Sequence, residues 1–149
     1  MTDESKIVKL YESKNWTVEF YEGCQEFVGQ CGIFSSKESL SDLTSEKWIE
    51  LGAIEKELER VCKKLFNTTM FNFTCLMNNA FRDDERPFVH FHFFPRYKEK
   101  INILDKEYVD VHFGFNFWKW SNTEERQKDI FTQEEREKLF EMMKKEFKL

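Results

Sequence analysis

The sequence predicts an α+β domain. Two observations carry that reading. Short runs of β-forming residues come in the order β-β-β-α-β-β-α, which is not the regular alternation of a doubly wound α/β fold. The composition has 17 Phe, 4 Trp and 4 Tyr but only 5 Gly and 2 Pro in 149 residues, which suits a packed core and argues against disorder. The length fits one domain spanning 1–149, with a core over about 7–114 and a C-terminal helical extension over about 132–147.

In chain order, residues 7–11 and 16–21 read as strands joined by a turn at Ser13, Lys14 and Asn15. Residues 25–34 read as a third strand, with Gly29 and Gly32 allowing a bulge or a close approach. Residues 35–43 form a loop. A helix of about 22 residues follows, from about Ser45 to Phe66, with Thr44 as N-cap and Asn67 as its stop. Its apolar positions, Trp48, Leu51, Ile54, Leu58, Val61, Cys62 and Leu65, are three and four apart and form one stripe. Residues 71–77 read as the next strand, with Asn72 and Thr74 alternating against apolar neighbours. Residues 78–86 form a charged, solvated tip, and the stretch after Tyr97 is loosely patterned. Thr132 and Glu135 make a capping box that opens a last helix, whose apolar stripe is Leu139, Phe140, Met143 and Phe147.

The most informative stretch is Pro87-Phe88-Val89-His90-Phe91-His92-Phe93-Phe94-Pro95-Arg96-Tyr97. Two prolines bracket seven residues without a turn former, which reads as one strand. On a strand, Phe88, His90, His92 and Phe94 share a face, and Val89, Phe91 and Phe93 share the other. The two imidazoles then lie roughly 6.6–6.8 Å apart along the backbone. On a helix they would diverge by about 200°. The opposite face is wholly apolar and should enter the core.

Charge and composition narrow the partners. A net charge of −5 gives no general attraction to nucleic acid. No apolar run approaches the roughly 20 residues of a membrane helix. The polar, acidic Met1–Ser5 does not read as a signal peptide, so a cytoplasmic location and reduced cysteines are expected. Cys24, Cys31, Cys62 and Cys75 lack zinc-site spacing. A metal set of His90, His92 and His112 can be drawn, but no carboxylate or cysteine is spaced to complete it. No cofactor is expected. Arg96 reads as a structural ion-pair or dimer residue, His112 as a loop residue, and Trp118 and Trp120 as packing residues.

The run from His90 to Tyr97 resembles the end of the histidine triad signature, in which three histidines alternate with apolar residues before Pro-Arg. His92 matches the third position and His90 the middle one. Phe88 stands where the first histidine would be. Gly29, Leu40 with Leu43 and Thr44 before the long helix, and Asn78 before the signature extend the likeness over about residues 7–97. The resemblance implies a twisted antiparallel sheet of about five strands packed on helices and a homodimer. It implies a site for a purine nucleotide or its derivative, with a phosphoramidate or a dinucleoside polyphosphate as substrate. His90 would attack the α-phosphorus to give a nucleotidyl-histidine. His92 would hydrogen-bond a phosphate oxygen, and Asn78 would touch the ribose or phosphate side. A further histidine that the family carries before the long helix falls at Ser36 here. Two of four histidines are thus replaced, at Phe88 and Ser36.

The chemistry is consistent with these residues. A neutral imidazole avoids the repulsion that an anionic nucleophile meets at a phosphoryl group. A second imidazole on the same face can be cationic and stabilise charge on the non-bridging oxygens. Phe88 should lower local polarity and press the His90 pKa down. The competing reading is a degenerate, non-catalytic module that binds a nucleotide or a protein partner, and Phe88 and Ser36 favour it.

Overall fold

The computed structural model describes residues 6–114 and 128–149. Among them lie β1 (Val8–Glu12), β2 (Thr17–Phe20), β3 (Cys31–Phe34), α1 (Ser45–Phe66), β4 (Met70–Thr74), α2 (Asn78–Arg82), β5 (His90–Arg96), β6 (Ile101–Ile103), β7 (Lys106–Tyr108) and α3 (Gln133–Glu146). Five strands form an antiparallel sheet in the order β1-β2-β3-β5-β4, and β6 and β7 form a separate hairpin. The α+β class, the five-stranded sheet, the long helix and the C-terminal helix are all present. The segment carrying Trp118 and Trp120 lies outside the described residues.

Helix α1 occupies the span read from sequence because both ends are chemically marked. The Thr44 hydroxyl accepts from the Lys47 amide, and Asn67 takes the left-handed conformation at φ 56° while its N–H reaches Lys63 O. Its inner stripe, Leu51, Ile54, Leu58, Val61, Cys62 and Phe66, is buried. Trp48 departs from that stripe: it is 44% exposed and meets Phe91 edge to face. At α3 the capping box between Thr132 and Glu135 is complete, and Leu139, Phe140 and Met143 are buried.

Both long helices bury these faces with one side of the sheet, against Leu10, Val18, Phe20, Ile33, Val89, Phe91 and Phe93. Phe73 and Phe71 of β4 stack on Phe91 and Phe93 at 4.7 and 5.1 Å. Phe20 meets Phe140 at 5.7 Å. The apolar face of β5 is therefore the floor of the core, and its histidine face points away from it.

Pro95 sits inside a central strand without costing a ladder bond. Arg96 O accepts from Thr69 N, so Arg96 faces β4 and Pro95 faces the β3 side. There β3 has already ended, since its pairing reaches only from Phe34–His90 to Cys31–Phe93. Gly29 lies alongside with φ +89°, and a Cβ on it would press on Cys62 Sγ at 3.0 Å and on Pro95 at 3.3 Å.

Several segments differ from the sequence reading. The strand read over 71–77 ends at Thr74, and Asn78–Arg82 of the charged tip form the short helix α2. Only residues 31–34 of the expected third strand pair. Residues 25–30 form a buried loop held by two side-chain amides. Gln25 donates to Tyr21 O and Gln30 O and accepts from Gly29 N, while Gln30 accepts from Phe27 N and donates to Cys24 O. The side chains satisfy the backbone that a partner strand would otherwise satisfy. The loosely patterned stretch after Tyr97 folds into the β6–β7 hairpin, whose turn places both Leu104 and Asp105 at positive φ, 50° and 59°.

Candidate functional site

Strand β5 sits between β3 and β4, so His92 has a strand neighbour on both sides and His90 has one on β3. His90 pairs with Phe34 on β3, and His92 lies between Gly32 on β3 and Thr74 on β4. Backbone bonds at Val89, from Ser35 N to its oxygen (2.9 Å) and from its N–H to Lys37 O (2.7 Å), extend the pairing ahead of the strand proper. They keep Phe88 on the same face as His90.

That face is an aromatic row. The Phe34 and His90 rings are 5.4 Å apart and nearly parallel, at 11°. His90 meets His92 edge to face at 5.0 Å and 80°. His92 stacks on Phe94 at 5.6 Å and 4°, and Phe94 leans on Phe27 at 5.3 Å. Packing from both sides thus fixes the orientation of the two imidazoles.

Their hydrogen bonding differs. His90 Nδ1 lies 2.9 Å from Phe88 O. A carbonyl only accepts, so Nδ1 carries a proton and donates it, and Nε2 is the nitrogen that Phe88 does not engage. The ring nitrogens of His92 have no hydrogen-bond partner among the described residues. Burial and the neighbouring His90 push the His92 pKa down from 6.5 to about 4. His92 is thus neutral at pH 7. That corrects the expectation of a cationic second imidazole: a neutral His92 ring carries one N–H and one lone pair. The Thr74 hydroxyl beside it is buried with no partner among the described residues.

Phe88, read from sequence as lowering the local polarity, is not buried. It is 44% exposed, and the imidazole held well below its ordinary pKa is His92. Phe88 and Ser36 line one open groove of about 440 Å³, together with Phe34, Trp16, Thr17 and Glu19. The two positions read from sequence as histidine replacements therefore share one surface. Neither His90 nor His92 lines that groove; Phe34, stacked on His90, connects the two regions. Asn78 is exposed at the first residue of α2 and forms no hydrogen bond with either imidazole among the described residues.

Arg96, also on the histidine face, is fully committed to structure. It is 2% exposed and pairs with the buried Asp110 through two contacts, 2.7 and 3.0 Å. It also donates to Asn72 Oδ1 and His112 O, both at 2.9 Å. His112 thus belongs to the segment that closes over Arg96. Among the described residues, no three His, Cys, Asp or Glu side chains are grouped to hold a metal ion. No helix among them is long and apolar enough to cross a membrane.

One residue escaped the sequence reading. Arg86, taken there as part of a solvated tip, folds back over Phe88 with its guanidinium carbon 5.4 Å from the ring centroid, and it pairs with Glu38. The available signal was its position two residues before Phe88, on the same side of an extended chain.

No family model and no curated protein matches this sequence. Solved structures do match the architecture. A histidine triad protein from Bradyrhizobium japonicum aligns with a TM-score of 0.67 at 11% identity, over 95% of this chain and 91% of that one. A hypothetical histidine triad nucleotide-binding protein from Sulfolobus tokodaii aligns at 0.59 and 15% identity, covering 96% and 85%. A Hit-like protein involved in cell-cycle regulation, from Bartonella henselae, aligns at 0.58 and 16% identity, covering 97% and 90%. These likenesses are of architecture rather than sequence, and together with the strand order and the position of β5 they identify the fold: this chain has the histidine triad fold.

Proposed function

We propose that this protein binds a nucleoside phosphate derivative on the histidine face of β5 and cleaves it through a nucleotidyl-histidine formed on His90. One observation carries the reading: Nδ1–H of His90 is tied to Phe88 O, so the ring is oriented and Nε2 is the nitrogen left to act as nucleophile. His92, neutral and without a hydrogen-bond partner among the described residues, donates N–H to a non-bridging oxygen. Asn78, Phe88 and Ser36 complete the candidate ligand surface. The Sulfolobus tokodaii neighbour, described as nucleotide-binding, supports the ligand class. A purine base, a homodimer and a cytoplasmic location belong to the same reading.

In the first step the Nε2 lone pair forms a bond to the α-phosphorus, and the bond to the leaving group breaks with its electron pair. In the second, a water oxygen bonds to phosphorus, the N–P pair returns to Nε2, and one water proton passes to solvent. Phe88 and Ser36 favour the second reading, a binding module without turnover. Incubating the protein with adenosine 5′-phosphoramidate or diadenosine tetraphosphate separates the two. The expected result is nucleotide release, loss of that release in His90→Ala, and a trapped nucleotidyl group that mass spectrometry maps to His90. A label on another residue overturns the assignment, and binding of AMP without turnover of either substrate establishes the module.

A further inference from the structure

The geometry points to Arg86 as the recognition element for a second phosphate, so that the site selects substrates whose leaving group is itself a phosphate. This inference rests on the proposed nucleotide site and specifies its substrate class.

Three features support it. First, Arg86 is placed beside the chemistry. Val89 is pinned to Ser35 and Lys37, so Phe88 and His90 share a face, and the guanidinium lies over the Phe88 ring at 5.4 Å. The ring that replaces the first triad histidine thus carries a cation on its surface. Second, that cation is available. Its partner Glu38 is 48% exposed and Arg86 itself 68%. An ion pair this wet adds little stability, and a phosphate, with more charge and a matching fork of oxygens, can take the place of the carboxylate.

Third, the leaving-group chemistry agrees. When His90 attacks the α-phosphorus of a phosphoanhydride, the bond to the bridging oxygen breaks and its electron pair leaves on the next phosphate. An anion leaves, and a guanidinium stabilises it without giving up a proton. When a phosphoramidate is attacked, the departing nitrogen needs a proton instead. Phe88 has none to give, and Arg86 holds its proton at any working pH. The replaced patch therefore suits a nucleoside di- or polyphosphate better than a phosphoramidate.

The test compares wild type, Arg86→Ala, Arg86→Lys and Glu38→Gln. Titration with AMP and ADP reads binding; diadenosine tetraphosphate and adenosine 5′-phosphoramidate read turnover. Wild type should bind ADP more tightly than AMP. Arg86→Ala should weaken ADP binding and lower kcat/KM on the tetraphosphate by about tenfold, while AMP binding and the phosphoramidate stay within about twofold. Arg86→Lys should recover part of the loss, because the charge returns without the planar fork. Glu38→Gln should tighten ADP binding by removing a competing carboxylate, whereas a merely structural pair would leave it unchanged or weaker. Equal losses on both ligand classes in Arg86→Ala, or no gain in Glu38→Gln, overturn the inference while leaving the nucleotide site standing. A wild type that binds neither AMP nor ADP overturns the site itself, and Arg86 with it.

Discussion

The two ends of the histidine face of β5 are built on opposite principles. At the C-terminal end Arg96 is buried and its guanidinium is satisfied by Asp110, Asn72 and His112. At the N-terminal end, from Phe88 to His92, satisfaction is incomplete: the Thr74 hydroxyl across from His92 is buried with no partner among the described residues, His92 makes no hydrogen bond to them, and only the Nδ1 of His90 is engaged. Folding accounts for the first end. An orphaned buried polar group costs about 1–3 kcal/mol, so the second end is a cost to folding that a ligand can offset. On one strand, full satisfaction marks the anchor and incomplete satisfaction marks the site.

The anchor should give the largest effect. Arg96→Ala leaves the Asp110 carboxylate buried without its partner, and such losses run to about 3–5 kcal/mol. Denaturant unfolding should show that loss, whereas His90→Ala should change stability far less. Equal destabilisation by the two variants would erase the contrast between the ends.

Positions 36 and 88 sharpen it next. Ser36 and Phe88 line one groove, so introducing histidine at both should be coupled rather than additive. Neighbouring residues show interaction energies of about 0.5–3 kcal/mol, and kcat/KM on one phosphoramidate substrate for wild type, Phe88→His, Ser36→His and the double variant measures this one. The double variant should exceed the product of the two singles. Additivity would make Phe88 a neutral replacement.

Sequence revealed the anchor and the two-histidine face of β5 more readily than their surroundings, for local reasons. Thr44 and Asn67 mark α1 at both ends, and Thr132 with Glu135 marks α3, because caps are written within a few residues. The alternation in β5 separated its two faces. Arg96 read as an ion-pair residue, but Asp110 lies fourteen residues on, past a hairpin whose Leu104-Asp105 turn lacks the usual Gly or Asn. The buried loop at 25–30 read as strand because Gln25 and Gln30 replace ladder bonds with side-chain amides, which periodicity does not register. The neutral state of His92 depends on burial between neighbouring strands, and Arg86 folds back from an apparently solvated tip.

A pH series tests the site end. The folded pKa of His92, about 4, lies below its ordinary value of 6.5. As pH falls from about 6.5 toward about 4, the unfolded chain takes up a proton that the folded chain refuses, so folding is weakened across that window and this contribution levels off below it. His92→Asn removes the titrating group. Between pH 7 and pH 5 the variant should lose less stability than wild type, read from denaturation midpoints corrected for slope. Identical losses would mean that His92 is not held neutral by the fold.

Thr74 should give the smallest effect on stability and the most direct test of the comparison. Its hydroxyl lies across from His92, buried and unpartnered among the described residues. Thr74→Val keeps the branched shape that β4 requires and removes only that hydroxyl. At a satisfied position the change would remove a hydrogen bond worth about 0.5–1.5 kcal/mol. Here it removes a group that folding leaves unmet, so the expected change is neutral or a gain of up to about 1 kcal/mol. If the hydroxyl is retained for a phosphate oxygen shared with His92, the same variant should bind AMP severalfold more weakly, and Thr74→Ser should restore that affinity. Stability and binding then move in opposite directions, as they do where a site is kept at some cost to the fold. A clear loss of stability in Thr74→Val would show that the hydroxyl already serves the fold, and that the two ends of β5 differ less than their hydrogen bonds indicate.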